Sequence, residues 1–457
     1  MTSTPISRLL YFALFAVLVS ACGLFKSVDQ DPDRDDDPDV IEGSGGRESG
    51  NSGPGTMPDD TVEVVTTPGK IDSPDLPDVP GGYDSTNTKD PDPVLMSQYN
   101  VAIMMPFYAD QGVTRRGEPT LDFYAGVRMA LEQLEGERVS LRVTVHDTKG
   151  SEATTEQLLQ SYDVQRAQLI VGPVATGAVQ KVAEYAKQND KLLVSPFNPR
   201  EDITADNPNY IQVSPYLQTH AEVIVRDIRR RFKPEQVVIV AQDKADERER
   251  IAYYQDANTR IAGTDGRPVT ARFKEYIKTD GLDIKPYLRA RDTTVIIVPS
   301  FAREQYIMSV LRAIKLQAGN RPVVVYGMPR WQSYERIDYK LYEDLSVHIT
   351  APAFIDRSDA AVRTFADQYV TRYSKAPSLN AYVGYDTMLY FGRMLRDHGS
   401  NFAPALDDAS AAYLHTKFAF QPNYAPGSEN FYTPIQYENK YVNLLRFRDY
   451  YFQVINR

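Results

Sequence analysis

From Tyr99 onward, short apolar runs alternate with longer segments whose apolar residues recur at helical spacing. The run YNVAIMMPF is apolar almost throughout and stops after Pro106. TLDFYAGVRMALEQL then places Leu121, Tyr124, Val127, Met129, Leu131 and Leu134 at the spacing of a helix. The two textures repeat through VSLRVTVHD, TTEQLLQSYDVQ, AQLIVGPV, GAVQKVAEYAKQ and KLLVSPF. A strand with no polar face has to be covered on both faces, and a helix between two strands makes them parallel. The pattern therefore predicts an α/β fold built on a doubly wound parallel sheet.

A second series follows the helical segment THAEVIVRDIRRRF, with strands QVVIVAQD, VTARFKEY, TTVIIVPS and RPVVVYGM and the helix REQYIMSVLRAIKLQ. Single cores stop growing near ~250 residues, so two such series predict two lobes. The chain then runs through LSVHITAPAFID to the helices AAVRTFADQYVTRY and AYVGYDTMLYFGRML, and ends in the strands FYTPIQYEN and KYVNLLRFRDYYFQVI. More than one passage between lobes is implied, which is a multi-strand hinge.

The N-terminal region has another character. Arg8 precedes LLYFALFAVLV, which is shorter than the ~20 apolar residues that span a bilayer. With Ser20 and Ala21 after it, residues 1–21 fit a signal peptide. The run VSAC resembles a bacterial lipobox, and that likeness implies cleavage before Cys22 and acylation of it. Cys22 is the only cysteine of 457 residues, so it forms no intramolecular disulfide and the folded part stands on its core. By similarity to Gram-negative lipoproteins, Gly23 implies sorting to the outer membrane, with each buried methylene contributing ~0.8 kcal/mol to the anchor.

Residues 22–97 are rich in Asp, Pro, Gly and Ser, as in DPDRDDDPDVIEGSGGRESGNSGPG, and predict a disordered acidic tether. Asp31, Asp33, Asp35, Asp37, Asp39 and Glu42 fall at the ligand offsets of a calcium loop, but Asp36 stands where such a loop needs glycine and prolines interrupt it. Composition favours a solvated acidic run. The formal net charge of −10 argues against a nucleic-acid partner, since phosphate binding wants clustered Lys and Arg.

Several stretches carry a resemblance: VAIMMPF, FYAGVRMALEQL, LIVGPVATGAV, LLVSPFN and SLNAYVGYDTMLYFGRML. Together they resemble the type I periplasmic-binding-protein fold, the leucine-binding and receptor-ligand-binding family, over nearly all of residues 100–456. From YGMPRWQSYERID onward the likeness is to envelope lipoproteins of the Bacteroidetes type. The resemblance implies discontinuous lobes, with 98–216 and 350–416 in lobe 1 and 217–349 and 417–457 in lobe 2.

In open α/β sheets, ligands bind outside the carboxyl ends of the strands. In lobe 1 that rule selects Phe107, Tyr108, Ala175, Thr176, Phe197 and Asn198; in lobe 2 it selects Asp243, Ser300, Phe301, Met328 and Trp331. ATGA opens a helix, so Thr176 either faces an anion together with helix amides or simply caps the helix. Amino-acid-binding relatives tend to carry a small residue and a hydroxyl where Phe197 and Asn198 stand. Where relatives often have a glycine-rich turn, this chain has AQDKADERER, a solvated helix start by its charge. Trp331 either stacks on a ligand ring or packs beneath a loop. Asp386, in VGYDT, belongs to a family hallmark whose implied role is structural.

No P-loop, HExxH, GxSxG or CxxC is present, and His146, His220, His348, His398 and His415 show no metal-ligand spacing. Neither a cofactor, a metal site nor catalysis is expected. The resemblance implies a lipid-anchored solute-binding protein that closes on a small molecule such as an amino acid or peptide and works with a transporter permease. The alternative it implies is a non-catalytic outer-membrane lipoprotein that regulates a peptidoglycan synthase by protein contact, its cleft vestigial.

Overall fold

The computed structural model describes residues 93–112, 114–262, 272–278, 281–334, 336–424 and 434–456. The expected signal peptide, Cys22, the calcium-loop offsets and almost all of the tether lie outside the described residues.

The first series comprises β1 (Tyr99–Met105), α1 (Glu118–Gly136), β2 (Leu141–Asp147), α2 (Glu152–Leu159), α3 (Tyr162–Arg166), β3 (Leu169–Val171), α4 (Thr176–Gln188), β4 (Leu192–Ser195) and β5 (Tyr210–Gln212). The second comprises α5 (Leu217–Arg231), β6 (Val237–Ala241), α6 (Ala245–Ala262), β7 (Lys274–Ile277), β8 (Thr294–Ile297), α7 (Glu304–Ala318), β9 (Val323–Tyr326), α8 (Tyr339–Asp344) and β10 (His348–Ala351). After these come α9 (Ala360–Tyr373), α10 (Leu379–His398), β11 (Ala411–Ala412), β12 (Lys417–Phe418), β13 (Phe420–Asn423), β14 (Gln436–Asn439), β15 (Asn443–Arg448) and β16 (Tyr451–Val454).

These strands form two seven-stranded sheets, ordered β2-β1-β3-β4-β5-β14-β13 and β7-β6-β8-β9-β10-β15-β16. In each, the first five strands of a series are parallel and keep the same order. The unbroken apolarity of β1 now has its cause. Val101, Ile103 and Met105 enter the core shared with α1 and α10, whereas Ala102 and Met104 enter the core shared with α4 on the other face.

Helices α1 and α10 meet at backbone distance. A Cβ on Gly126 would lie 1.9 Å from the Ala381 carbonyl oxygen, and one on Gly384 would lie 2.0 Å from that of Phe123. Each helix thus supplies a glycine opposite the other's main chain, which seats α10 of the returning chain on the first lobe.

The chain passes between the sheets three times: after β5 into α5, after β10 into α9, and from β14 into β15. Strands β5 and β10 are left at their carboxyl ends. Strand β14 runs parallel to β5, and β15 starts opposite Ala351, the last residue of β10. All three passages therefore sit on the carboxyl edges of both sheets, the edges from which ligand-binding loops spring.

Three corrections to the sequence reading follow. Residues 417–457 do not all go with the second lobe: β13 and β14 extend the first sheet, and Phe418 of β12 lies in that lobe's core. Conversely, Thr350 and Ala351 complete β10 in the second sheet. The final apolar segment is two strands, β15 and β16, joined at Asp449 and Tyr450, whose φ values of 55° and 65° make a two-residue hairpin turn.

Candidate functional site

At the carboxyl edge of the first sheet, the loop after β1 is folded around a carboxylate of its own. Asp147, at the end of β2, accepts the main-chain N–H groups of Phe107 (2.9 Å), Tyr108 (3.2 Å), Ala109 (2.8 Å) and Lys149 (2.9 Å). Phe107 is buried and meets Tyr124 edge-on, while Tyr108, also buried, has a left-handed backbone and lies beneath the Arg116 guanidinium.

Ala175 occupies the N-cap position of α4 without a capping side chain, so Thr176 is the first helical residue rather than the cap. Asn198, fully buried after β4, donates its amide to Thr176 Oγ1 (3.2 Å) and to the Val174 carbonyl (3.4 Å). It thereby staples the loop after β4 to the start of α4. A carboxylate oxygen of Glu152 lies where a side chain on Gly177 would go, so the start of α4 also has an internal anion against it. Phe197 packs edge-on against Phe123.

In the second lobe the sequence reading of AQDKADERER needs correction. Asp243 is exposed and pairs with Arg248 (2.7 Å), as a solvated segment should. Glu247, four residues on, is fully buried. It accepts from the Ser300 hydroxyl (2.7 Å), the Arg303 guanidinium (2.7 Å) and the Gln242 main-chain N–H (2.6 Å). Arg303 and Arg250 share Asp246, which their guanidinium groups help hold below the usual carboxylate range against the upward push of burial. Buried charge is tolerable only when paired and hydrogen-bonded in this way.

Ser300 is also fixed through its carbonyl, which accepts the Trp331 indole N–H (3.0 Å). Trp331 is buried, stacks on Tyr342 and lies against Gly327, so it packs beneath the loops after β8 and β9. Met328 accepts the Tyr254 hydroxyl (3.2 Å), and the Phe301 carbonyl accepts that of Tyr334.

At the hinge itself, Glu438 of β14 is fully buried and accepts from the Tyr216 main-chain N–H (2.9 Å), the Thr219 hydroxyl and the Asn423 amide (3.1 Å), and pairs with Lys440. One carboxylate thus ties the first passage to the third. The second passage is tied by Thr416, which donates to the Pro352 carbonyl (3.0 Å), and by the Phe354 N–H, which reaches the His415 carbonyl (2.8 Å).

Between these fastenings lies a pocket of about 30 Å³. Its walls come from the loop after β4 (Pro196, Phe197), the first passage (Val213, Ser214), the second passage (Pro352, Ala353), the start of α10 (Leu379, Asn380, Val383), and His415 with Thr416. Of the eleven residues selected from sequence, Phe197 lines this pocket, Asn198 and Thr176 meet beside it, and Ser300 joins a buried network in the other lobe. Sequence reasoning missed Asp147, Glu247, Asn380 and the His415–Asp386 pair. Asp147 is the last residue of β2 and Glu247 lies in the first turn of α6, so attention to the final strand residues and the helix starts, beside the loops between them, would have found both.

Residues 117–423 match the family model described as periplasmic binding protein. No curated protein matches the chain by sequence. Among solved structures, the chain is similar to an ABC-type branched-chain amino acid transporter protein of Rhodopseudomonas palustris (12% identity, 79% of this chain and 95% of that one, TM-score 0.53). A branched-chain amino acid ABC transporter periplasmic ligand-binding protein of Burkholderia xenovorans is similar at 16% identity, covering 78% and 94% with a TM-score of 0.51. An ABC transporter substrate-binding protein of Desulfitobacterium hafniense, in complex with Leu, matches at 14% identity, 78% and 100% coverage and a TM-score of 0.50. At these identities the likeness establishes the fold.

Proposed function

The chain belongs to the periplasmic binding protein family, and from that footing we propose that it is a solute-binding protein of the cell envelope, which captures a small molecule between its lobes and carries out no chemistry of its own. The observation that carries this reading is the placement of all three interlobe passages on the carboxyl edges of both sheets, with an open pocket among them. Closure about such a hinge requires only that the ligand bind the closed form more tightly than the open one. Cys22 is proposed as the lipid anchor, holding the protein at the outer membrane on its acidic tether.

One observation favours the second reading, in which the chain regulates a peptidoglycan synthase through contact. The hydrogen-bond donors at the strand ends are largely spent on the chain's own groups: Asp147 takes four main-chain N–H groups, and Glu247 takes Ser300 and Arg303. A cleft that no longer serves a ligand would look like this.

Native mass spectrometry of the full chain in detergent, followed by thermal shift with amino acids, peptides, nucleosides and muropeptides, separates the two. Under the solute-binding reading a co-purified small molecule is found, or a ligand at ~100 Kd raises Tm by several degrees. A bare mass and no shift with any compound overturns it.

A further inference from the structure

The pocket among the hinge passages contains polar groups that the fold itself leaves unused. Asp386, fully buried on α10, accepts on one oxygen both the His415 main-chain N–H (2.8 Å) and the His415 ring nitrogen Nδ1. Nδ1 is taken by that oxygen, so Nε2 is the ring atom left for another partner. Nε2 has no partner among the described residues, and His415 lines the pocket.

Asn380 lines the same pocket. It is 8% exposed, and its amide makes no hydrogen bond with the described residues. Leu379 and Asn380 are also the first two residues of the 20-residue helix α10, whose N-cap Ser378 makes no capping bond. Main-chain N–H groups at that point of a helix have no intrahelical acceptor. The pocket is therefore lined by a histidine with a free ring nitrogen, a side-chain amide and the start of a helix, beside Phe197, Val213, Pro352 and Ala353.

We infer that this pocket receives the neutral, hydrogen-bonding end of a ligand, a primary amide or a hydroxyl, with His415 Nε2 and the Asn380 amide as its contacts. Such a group both donates and accepts, so it can pair with Nε2 whether or not that atom carries a hydrogen, and its lone pairs serve the amide and helix-end donors. A carboxylate can only accept, and it would bring a second carboxyl group close to the buried Asp386. The size agrees: about 30 Å³ admits roughly two water-sized groups, the end of a molecule rather than the whole of it. The assignment rests on the solute-binding reading and names the chemistry its ligand presents to the hinge.

The chain has only five histidines, so the full chain in detergent, labelled with ¹³C at histidine Cε1, gives a readable spectrum. Acetamide and acetate, equal in size, are the probes, and His415→Gln assigns the signal. Acetamide is expected to shift the His415 resonance saturably while acetate does so at least tenfold more weakly. Asn380→Leu, which removes the amide, and Ala353→Leu, which fills the wall, each weaken the acetamide response tenfold or more. Because the two substitutions sit on different segments, a folding defect in one leaves the other as the test.

An unmoved His415 signal, an equal response to acetate, or a response unchanged in both variants overturns the assignment. Failure of the wider reading looks different. If a ligand from the thermal screen stabilises the parent and both variants equally, solute binding stands and the hinge assignment falls. If acetamide binds as described and the screen yields nothing, the hinge site stands and the receptor reading falls.

Discussion

The two lobes share one strand order and hold their carboxyl edges together by opposite means. In lobe 1 the edge rests on close backbone packing: Gly126 and Gly384 bring α1 and α10 into main-chain contact, and Asp147 gathers the loop after β1 through backbone N–H groups. In lobe 2 it rests on side-chain charge, with Glu247, Asp246, Arg303 and Arg250 interlocked around Ser300. Even the added strands differ, β14 parallel to β5 and β15 antiparallel to β10. The difference teaches that the sheet topology fixes where the strand-end loops lie, while their rigidity is set separately on each side, by backbone packing and backbone hydrogen bonds in one lobe and by side-chain charge pairs in the other.

That contrast breaks most easily at the glycines. Gly384→Ala places a carbon 2.0 Å from a main-chain oxygen that cannot turn aside, so the helices must part. Overpacking of this kind costs about 3 kcal/mol, which urea unfolding followed by circular dichroism would register. Glu247→Gln strikes the corresponding point of lobe 2. It leaves Arg303 with Asp246 alone, and the expected loss is about 2 kcal/mol, below the full cost of breaking a buried pair because Arg303 keeps one partner. Trp331 is the only tryptophan and sits in lobe 2, so its fluorescence reports that lobe. The fluorescence midpoint should fall in Glu247→Gln by at least as much as the circular dichroism midpoint; an unchanged fluorescence midpoint would show that charge does not hold this edge.

Acid should sharpen the same contrast. Burial pushes His220 on α5 down to about 3 and His348 on β10 down to about 4, and both belong to lobe 2. Unfolded histidine titrates near ~6.5, so between that value and the folded ones the unfolded chain binds the extra protons. Lobe 2 is therefore fully stable above pH ~6.5 and weakens as pH falls toward 4. Lobe 1 contributes the half-buried His146, lowered by burial, and Glu137, which its hydrogen bond to Arg393 holds down at about 2. The Glu137 share is present above the unfolded carboxylate range near ~4.3 and is lost only as pH drops from there toward 2. Trp331 fluorescence should thus show the urea midpoint falling between pH 6.5 and 4, with a smaller fall in His220→Leu; a midpoint flat over that range would refute the assignment.

The same asymmetry explains how much the sequence could show. Eight strands of the two series were legible, the inner ones because burial on both faces leaves an unbroken apolar run, as in Val101–Met105; the short β5 and β10 were not read as strands. The sheet that β14 joins was not, since pairing Tyr437 with Ile211 spans more than half the folded chain and leaves no local mark. The hairpin at Asp449 and Tyr450 was hidden because neither residue is glycine, though both adopt positive φ. Among site residues, Phe197 and Asn198 stood out by type and position. Glu247 did not: in ADERER it looks like its solvated neighbours, and only Ser300 and Arg303, more than 50 residues away, make it a buried one. His415 likewise gains meaning only from Asp386, 29 residues earlier.

The smallest expected effect tests whether Asp243 and Glu247 really belong to different classes despite sharing one charged segment. Asp243 is more than half exposed, its partner Arg248 equally so, and water screens the pair. Such exposed pairs contribute at most ~1 kcal/mol and commonly less than half of that, because ordering two side chains offsets the attraction. Asp243→Ala should therefore leave both midpoints within ~0.5 kcal/mol of the parent and insensitive to added salt, whereas Glu247→Gln should not. If Asp243→Ala instead weakened ligand-induced stabilisation at unchanged intrinsic stability, the exposed start of this segment would be a ligand contact, and lobe 2 would meet its ligand by charge.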